Sequence, residues 1–402
     1  MIKVMIDNIS ADFKMATTDM STTLNSTWHS TSPTPTAKKY LFLPMSFPWQ
    51  YSVPINGYIS PILVFLTIIN NTLVCVVLLK RHMRSPTNVL LAAMAISDML
   101  TGVFPVPIFI YFFGTERFRE IVPYEWCFAY KYLSEYIPII FHTASIWLTM
   151  ALAIQRYIYV CHSFRARTWC TIPNVIRGTV VIYFIAILSQ LCRFFEEEMT
   201  PIELPSELHP NQTVIGCEIG HRKWVAGKLD IYYNIYFGFR VIFIHLVPCI
   251  SLVVMNALLI YAMRCAQRRR MQLLRQNKKS ESKKLKDSNC TTLMLVAVVG
   301  LFLLVEFPLG ILMIIMIVEN TFRISIIERE TMNILSLMSN FFILLSYPLN
   351  FFIYCGMSKQ FRETFKRLFT GGQVQLDRDY SQYMTLPTEN GKTAVTGDET
   401  AL

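Results

Sequence analysis

The 402-residue chain has little charge: Asp, Glu, Lys and Arg make up 16% of it, whereas a soluble domain contains about 25%. Hydrophobic residues make up 53% even without glycine. This composition excludes a disordered chain, a coiled coil and a disulfide-rich miniprotein, and it argues against an ordinary soluble enzyme. The apolar surface is too large for a protein core of this size, so we expect lipid to solvate part of it.

Several patterns that define other membrane proteins are also missing. The chain shows neither the short-period alternation of barrel strands nor an internal repeat typical of inverted-repeat transporters. The first 57 residues contain no cleavable signal pattern. No His-Glu-x-x-His string occurs, and His142 and His245 are isolated. We therefore predict no enzyme activity, no cofactor and no nucleic-acid partner, with a transporter or channel as a remote alternative.

Uninterrupted apolar runs of membrane-spanning length occur seven times. The fourth run is the weakest, because Arg177 and Arg193 lie near its ends. The sequence therefore predicts an all-α membrane protein with a seven-transmembrane helix bundle. The predicted spans are 58–79, 89–112, 129–160, 175–195, 231–263, 291–318 and 332–355.

Lysine and arginine are unevenly divided between the two sets of connecting segments. If the N-terminus is outside, the inner segments hold 23 basic and 8 acidic residues, and the outer segments hold 13 basic and 16 acidic residues. Basic residues accumulate on the cytoplasmic side. We therefore predict a multi-pass protein of the plasma membrane with an extracellular N-terminus and a cytoplasmic C-terminus. Glycosylation sequons at Asn8, Asn25 and Asn211 all lie in segments assigned to the outside.

Ten cysteines are spread along the chain, and Cys127 and Cys217 are the two that lie clearly in outer segments. An oxidising compartment would pair them, so we predict a disulfide between Cys127 and Cys217. Cys192, at the outer end of the fourth run, is the competing partner. We interpret the other cysteines as buried apolar thiols.

Short motifs lie at defined places in the spans. Gln155-Arg156-Tyr157 ends the third span, and the run from Asn350 to Tyr354 ends the seventh. These motifs resemble the signatures of rhodopsin-like (class A) G-protein-coupled receptors, with Gln155 in place of an acid. The resemblance implies a heterotrimeric G protein as partner. The implied activation and coupling residues are Asp98, Asn71, Arg156, Tyr157, Pro308, Asn350 and Tyr354.

Longer strings narrow this resemblance. The segments 154–162, 166–171, 289–295 and 347–366 look like those of the insect sex peptide and myoinhibitory peptide receptors, a family whose similarity covers roughly 58–369. The resemblance implies a receptor for an amidated myoinhibitory-type neuropeptide, and it favours a G protein of the inhibitory class. A paralogous receptor for another amidated neuropeptide, such as an FMRFamide-like peptide, is the alternative.

Ionisable residues inside the spans are costly in lipid and tend to line polar cavities. We therefore predict a ligand pocket of mixed acidic and basic character, which suits a peptide with an amidated C-terminus. We expect Glu306 and His142 to face each other at its floor, and Arg240 to pair with Glu135 or with the ligand. A buried ion-pair network that only pins the helices together is the alternative. The predicted pocket residues are Glu135, His142, Arg240, His245, Glu306 and Tyr347.

Two further polar features need partners. Asp98 lies within the second span, where a carboxylate costs about 2.5–3.5 kcal/mol on insertion scales. The acidic run at residues 196–198 could steer cationic peptides, but we interpret it as a solvated face. The candidate partners of Asp98 are Asn71, Ser145, Ser346 and Asn350, with a possible sodium ion near Asp98 and Ser145.

The remaining parts of the chain are predicted from composition. We expect 1–57 to form a mostly disordered, glycosylated extracellular segment, 58–355 the bundle, 356–369 an amphipathic juxtamembrane helix, and 370–402 a disordered cytoplasmic tail. The basic stretch 264–286 is expected to contact a G protein or anionic membrane lipid. The C-terminus, with Thr400 and Leu402, suits a PDZ protein. Arrestin is a further expected partner of the tail.

Overall fold

The computed structural model describes residues 40–43, 48–209, 211–276, 279–322 and 324–370. Within these ranges, seven helices are long and apolar enough to cross a membrane. They are α1 (Trp49–Leu78), α2 (Pro86–Gly114), α3 (Tyr124–Cys161), α4 (Ile172–Gln190), α5 (Ile231–Arg275), α6 (Lys279–Phe322) and α7 (Arg329–Met357). The amphipathic helix α8 (Lys359–Thr370) follows. The predicted seven-helix membrane fold is therefore confirmed.

The helices extend beyond the apolar runs that predicted them. α1 begins at Trp49 rather than at residue 58, and α5 continues to Arg275 rather than ending at residue 263. α6 begins at Lys279, well before the apolar part of its sequence. The length of an apolar run reports membrane thickness, whereas Arg, Lys, Gln and Glu are good helix formers in water. A helix can therefore continue after the membrane ends.

Two parts of the prediction lie outside the described residues. One is the segment 1–39, with the sequons at Asn8 and Asn25. The other is the tail 371–402, with Thr400 and Leu402. The third sequon residue, Asn211, is described and is exposed to solvent.

A two-stranded antiparallel hairpin follows α4. Its strands β1 (Glu197–Pro205) and β2 (Thr213–His221) pair along their full length, with Glu197 opposite His221. The Cys127–Cys217 disulfide joins β2 to the beginning of α3, which confirms the predicted pairing, and Cys192 is a free thiol. We call this half of the bundle the hairpin end, and the opposite half the α8 end.

The hairpin is packed tightly against neighbouring segments. Tyr40 forms a bridge with Glu218, and Leu43 is fully buried beside the disulfide. Gly216 faces Ile121, and a Cβ atom at this position would lie 2.7 Å from the Ile121 side chain. Only glycine therefore allows the hairpin to approach this closely.

Apolar packing anchors the α8 end. Phe361 of α8 is 1% exposed, and its ring centroid lies 5.9 Å from that of Tyr354 in α7. Burial of one such side chain contributes roughly 1.5–3 kcal/mol. His82, between α1 and α2, is 3.1 Å from the Thr364 hydroxyl. The predicted amphipathic helix after the seventh span is therefore confirmed, and it packs onto the bundle through its apolar face.

Three spanning helices contain a π-helical segment that ends two residues before a proline. In each one, the residue before the proline donates its N–H to the carbonyl five residues earlier instead of four. Proline has no N–H and its ring clashes with the carbonyl one turn earlier, so a wider turn accommodates it. The segments are Val53–Ile59, Tyr132–Tyr136 and Arg240–Leu246, and the prolines are Pro61, Pro138 and Pro248.

Candidate ligand-binding site

A cavity lies among the spanning helices in the hairpin end of the bundle. It holds about 1210 Å³ of empty space, part of which is open to solvent. A concave site lined mostly by apolar side chains, with a few polar groups, is typical of ligand pockets. Five of the six residues predicted for the pocket line this cavity: Glu135, His142, Arg240, His245 and Tyr347.

Glu306, the sixth predicted residue, lies behind the cavity wall. Its Oε1 is 3.3 Å from His142 Nε2, and its Oε2 is 3.8 Å from His245 Nδ1. His142 Nδ1 is also 3.1 Å from the Tyr347 hydroxyl. Glu306 and His142 therefore meet as expected, but the two imidazoles line the cavity in place of the carboxylate. A direct contact of Glu306 with the ligand is not supported by this geometry.

Glu135 is paired with a residue that the sequence prediction missed. Lys131 lies one turn earlier on α3, is fully buried, and its Nζ is 3.4 Å from Glu135 Oε2 and 3.4 Å from Glu197 of β1. The Tyr136 hydroxyl donates to Glu197 Oε2 at 2.8 Å. The expected Arg240–Glu135 pair is absent from the described ion pairs, because the i,i+4 spacing on α3 brings Lys131 to Glu135 first.

The interpretation of the acidic run at residues 196–198 as a solvated face was wrong for Glu196 and Glu197, whereas Glu198 is exposed. Glu196 is fully buried and forms an ion pair with Arg193, and the Tyr232 hydroxyl donates to it at 2.5 Å. Glu197 is also buried, at 9% exposure. Buried carboxylates require partners, and Arg193 and Lys131 supply them. Lys131 lies 66 residues before Glu197, and this distance in the sequence hid their pairing, whereas Arg193 lies only three residues before Glu196.

Arg240 is held by an aromatic residue instead. Its Nη1 donates to the Tyr236 hydroxyl at 3.4 Å, and its guanidinium lies 5.9 Å from the centre of the Tyr236 ring. Tyr236 in turn donates to Gln190 of α4 at 2.9 Å. This chain fixes Arg240 on the cavity wall.

Two ionisable side chains that line the cavity each have one polar atom without a hydrogen-bond partner among the described residues. Glu135 Oε1 and Arg240 Nε have no hydrogen-bond partner among the described residues, although both side chains are at least 96% buried. A buried polar atom without a partner costs roughly 1–3 kcal/mol. One atom accepts a hydrogen bond and the other donates one, so the two atoms require partners of opposite kind.

The π-helical segments explain why these side chains reach the cavity. Glu135 lies in the segment of α3, and Arg240 and His245 lie in that of α5. A wide turn changes the direction of the side chains that precede the proline, and such turns are frequent at functional sites. The prolines of the spans were therefore a usable sequence signal.

Below the cavity, Asp98 of α2 is buried and hydrogen-bonded. Ser145 donates to its Oδ1 at 2.7 Å, and Asn350 donates to its Oδ2 at 3.3 Å. Ser346 instead donates to the backbone of its own helix, and the buried Asn71 amide has no partner among the described residues. Carboxylate, hydroxyl and amide oxygens are ligands suited to a hard cation such as sodium. The residues present are thus compatible with the predicted ion.

At the α8 end, Arg156 of α3 bonds to α6. Its Nε and Nη2 donate to the Thr292 hydroxyl at 3.0 and 2.7 Å. Gln155 is buried, and its amide has no partner among the described residues. The residue that replaces the acid thus does not hold Arg156, and a hydroxyl on a neighbouring helix does. The other predicted coupling residues also lie in this region or along α6 and α7: Tyr157, Pro308 and Tyr354.

Comparison with known proteins agrees with this geometry. The sequence profile of the family described as serpentine type 7TM GPCR chemoreceptor Srw matches residues 58–372. The sex peptide receptor of Drosophila melanogaster is 44% identical over 367 residues, which cover 90% of this chain and 83% of that protein. Sex peptide receptor-related protein 2 of Caenorhabditis elegans is 37% identical, over 84% of this chain and 76% of that protein.

A third relative widens the group. The FMRFamide receptor of Drosophila melanogaster is 25% identical over 83% of this chain and 57% of its own length. These relatives are receptors and not enzymes, in agreement with the prediction. The chain therefore belongs to the seven-transmembrane G-protein-coupled receptor family, among the neuropeptide receptors related to the sex peptide receptors.

Proposed function

We propose that the protein is a plasma-membrane receptor for an amidated myoinhibitory-type neuropeptide and that it signals through a heterotrimeric G protein. The observation that carries this proposal is the cavity wall on which Glu135 and Arg240 each keep a free polar atom. The similarity to sex peptide receptors supports the peptide class. The weaker similarity to an FMRFamide receptor makes an FMRFamide-like peptide the second candidate.

A C-terminal carboxamide matches the free atoms of this wall. Its N–H groups would donate to Glu135 Oε1, and its carbonyl would accept from Arg240 Nε. A C-terminal carboxylate would also accept from Arg240, but it has no N–H to donate to Glu135 Oε1, and Glu135 would repel its negative charge across a water-poor site. The wall thus favours an amidated peptide over its free acid.

The proposed orientation places the hairpin end outside the cell. The Cys127–Cys217 disulfide lies at this end, and disulfides persist in oxidising compartments. Asn211 is exposed in the hairpin turn, where a glycan would project into solvent. The basic residues of 264–275 lie on α5 at the opposite end, as expected for a cytoplasmic face.

The proposed G-protein contact is the α8 end. Release of Arg156 from Thr292 would separate α3 from α6 and open a cleft there. The inhibitory class is proposed from the family resemblance alone. Arrestin, a PDZ protein at Thr400 and Leu402, and anionic membrane lipid are further proposed partners, and 1–57, 356–369 and 370–402 are the proposed flanking segments of the bundle.

A second-messenger assay in cells that express the protein tests the proposal. The panel contains tryptophan-bearing amidated myoinhibitory peptides, FMRFamide-like peptides, and the free-acid form of each. We expect the amidated myoinhibitory peptides to be active and their free acids to be at least about tenfold weaker. In Glu135→Gln this difference should shrink, because the repelling charge is removed. A response to FMRFamide-like peptides alone would favour the second candidate, and equal potency of amide and acid would contradict the role of Glu135.

A further inference from the structure

The two sides of the cavity differ in chemistry. The side formed by α3 and α5 carries the charged and histidine side chains described above. The side between α1, α2 and α7 has no acidic, basic or histidine residue among its described lining residues. We call this side the neutral lobe, defined by Asn56, Ser60, Val106, Phe109, Asn340 and Phe341.

Asn56 is the distinctive residue of the neutral lobe. It is 6% exposed, and it lines the cavity with a side-chain amide that can both donate and accept hydrogen bonds. Gly57, beside it, makes this position possible: a Cβ atom there would lie 3.0 Å from the backbone of Phe113. α1 can therefore approach α2 closely at this level and hold Asn56 at the cavity.

The local backbone of Asn56 is the same as that of the charged residues on the opposite wall. Asn56 lies in the π-helical segment before Pro61, just as Glu135 lies in the segment before Pro138 and Arg240 in the segment before Pro248. Three helices thus use one device to present a polar side chain to the same cavity. Apart from Pro61, the sequence gives no sign that Asn56 lines a cavity, because an uncharged amide is ordinary near the end of a span.

We propose that the neutral lobe is a second binding subsite for the peptide, which takes one uncharged apolar side chain while Asn56 hydrogen-bonds to the adjacent peptide group. A carboxamide both donates and accepts, so it complements the C=O and N–H of a peptide unit. The wall of the lobe carries no charge, so it excludes a charged side chain, which would be buried there without a counter-charge. This inference rests on the proposed function. It adds recognition of an internal residue of the peptide to recognition of its amidated C-terminus.

The first test compares two buried asparagines. Asn56→Leu removes the amide at the lobe and keeps the number and branching of the side-chain heavy atoms. Asn333→Leu is the matched control, since Asn333 is 7% exposed with an unpartnered Oδ1 but does not line the cavity. With an amidated myoinhibitory peptide as the probe, we expect Asn56→Leu to lower potency about tenfold, as for one or two lost hydrogen bonds. Asn333→Leu should leave potency within about twofold.

The second test fills the lobe. Val106→Phe adds a ring at the half-buried Val106, and the probe is an alanine scan of the same peptide. In the wild-type receptor, alanine at one apolar position should lower potency about tenfold. In Val106→Phe the same peptide substitution should cost much less, because the side chain is already excluded. Such non-additivity identifies the contact.

The outcomes are separable when surface expression is measured for every variant. Unchanged potency in both Asn56→Leu and Val106→Phe, with a loss still seen in Glu135→Gln, overturns the subsite and leaves the proposed function standing. No response of the wild-type receptor to any amidated peptide overturns both. If Asn56→Leu does not reach the surface, the peptide scan on Val106→Phe decides, and additive losses there count against the subsite.

Discussion

Lys131 holds two carboxylates together in a place from which water is excluded. Its ammonium group is 3.4 Å from both Glu135 and Glu197, and its side chain is 0% exposed. Breaking a buried charge pair by removing one partner costs about 3–5 kcal/mol, because the other charge is left uncompensated. One lysine therefore determines both the stability of the hairpin end and the charge that a ligand meets at Glu135.

Exchange of charge within this cluster provides a test. Lys131→Glu alone places three carboxylates together, and we expect surface expression and thermal stability in detergent to fall strongly. The double variant Lys131→Glu with Glu197→Lys restores one cation between two anions, so it should recover part of the loss. Lys228→Glu, a change outside the cluster, is the control for altered net charge. No recovery in the double variant would show that the cluster is not a compensated group.

Arg156 depends on a hydroxyl where an acid is missing. Thr292→Val keeps the side-chain shape and removes the acceptor of two hydrogen bonds from Arg156. A hydrogen bond to a charged group contributes about 1.5–3 kcal/mol, so we expect ligand-independent signalling to increase several-fold. Thr292→Ser keeps the hydroxyl and is the matched control. We call the two hydrogen bonds from Arg156 to Thr292 the Arg156 latch. Basal second-messenger levels at equal surface expression are the measurement, and unchanged basal signalling in Thr292→Val would contradict a restraining role for the latch.

Sequence reasoning located single residues well where their charge was anomalous. Glu135, Arg240 and His245 stand out in an apolar span, and all three line the cavity. Lys131 was missed because it lies near a span border, where lysine is ordinary. Asn56 was missed because it carries no charge. Burial and partner, not residue type, distinguish these positions, and both depend on the tertiary structure.

At the scale of elements, the prolines of the spans set the direction of the site residues. Pro138→Ala restores an N–H that can bond to the carbonyl four residues earlier. We expect the π-helical segment Tyr132–Tyr136 to rewind and turn Glu135 from the cavity, with about a tenfold loss of peptide potency. Pro173→Ala is the control, because Pro173 lies in the first turn of α4, where proline displaces no bond. Equal effects of the two variants would refute this explanation.

The hairpin turn is attached through a carboxylate that lies outside the spans. Burial alone would raise the pKa of Glu120. Hydrogen bonds to its carboxylate have the opposite and larger combined effect, so its pKa is below the usual range. The donors are the Ser206 hydroxyl and the backbone N–H groups of Ile121, Glu207 and Leu208. A lowered folded-state pKa gives stability that is present above the unfolded pKa of about 4.3 and is lost as pH falls through the folded value.

Hydrogen exchange tests this attachment. At pH 7 the amides of Glu207 and Leu208 should exchange more slowly in the wild-type protein than in Glu120→Gln. The difference should disappear as the pH falls through the lowered folded-state pKa of Glu120, because protonation then makes the wild-type side chain neutral as well. A difference that persists at low pH would show that the charge of Glu120 is not what holds the turn.

Element prediction succeeded where the constraint was local. A span must be apolar over the thickness of the membrane, so a run of consecutive apolar residues is enough to identify it. The hairpin was missed because its nine-residue strands pair across a turn and depend on contacts with Tyr40 and Ile121. Such contacts join segments that are far apart in the sequence.

At the scale of the whole molecule, α6 connects the two functional ends. Glu306 lies behind the cavity histidines, and Thr292, fourteen residues before Glu306 on the same helix, bonds to Arg156. The two positions are about 21 Å apart along the helix at 1.5 Å per residue. If the peptide stabilises the state in which Arg156 is released, binding at one end and release at the other are linked. Linkage is reciprocal, so a change at the α8 end must alter affinity at the cavity.

Thr292→Val should therefore raise peptide affinity although it lies far from the cavity. The apparent dissociation constant of a ligand falls as the binding-competent fraction of the receptor rises, and loss of the latch increases that fraction. We expect several-fold tighter peptide binding in membranes stripped of G protein, with Thr292→Ser unchanged. The gain cannot exceed the shift in the basal equilibrium, since both report the same two states. Higher basal signalling with unchanged affinity would mean that the cavity and the Arg156 latch are not parts of one conformational change.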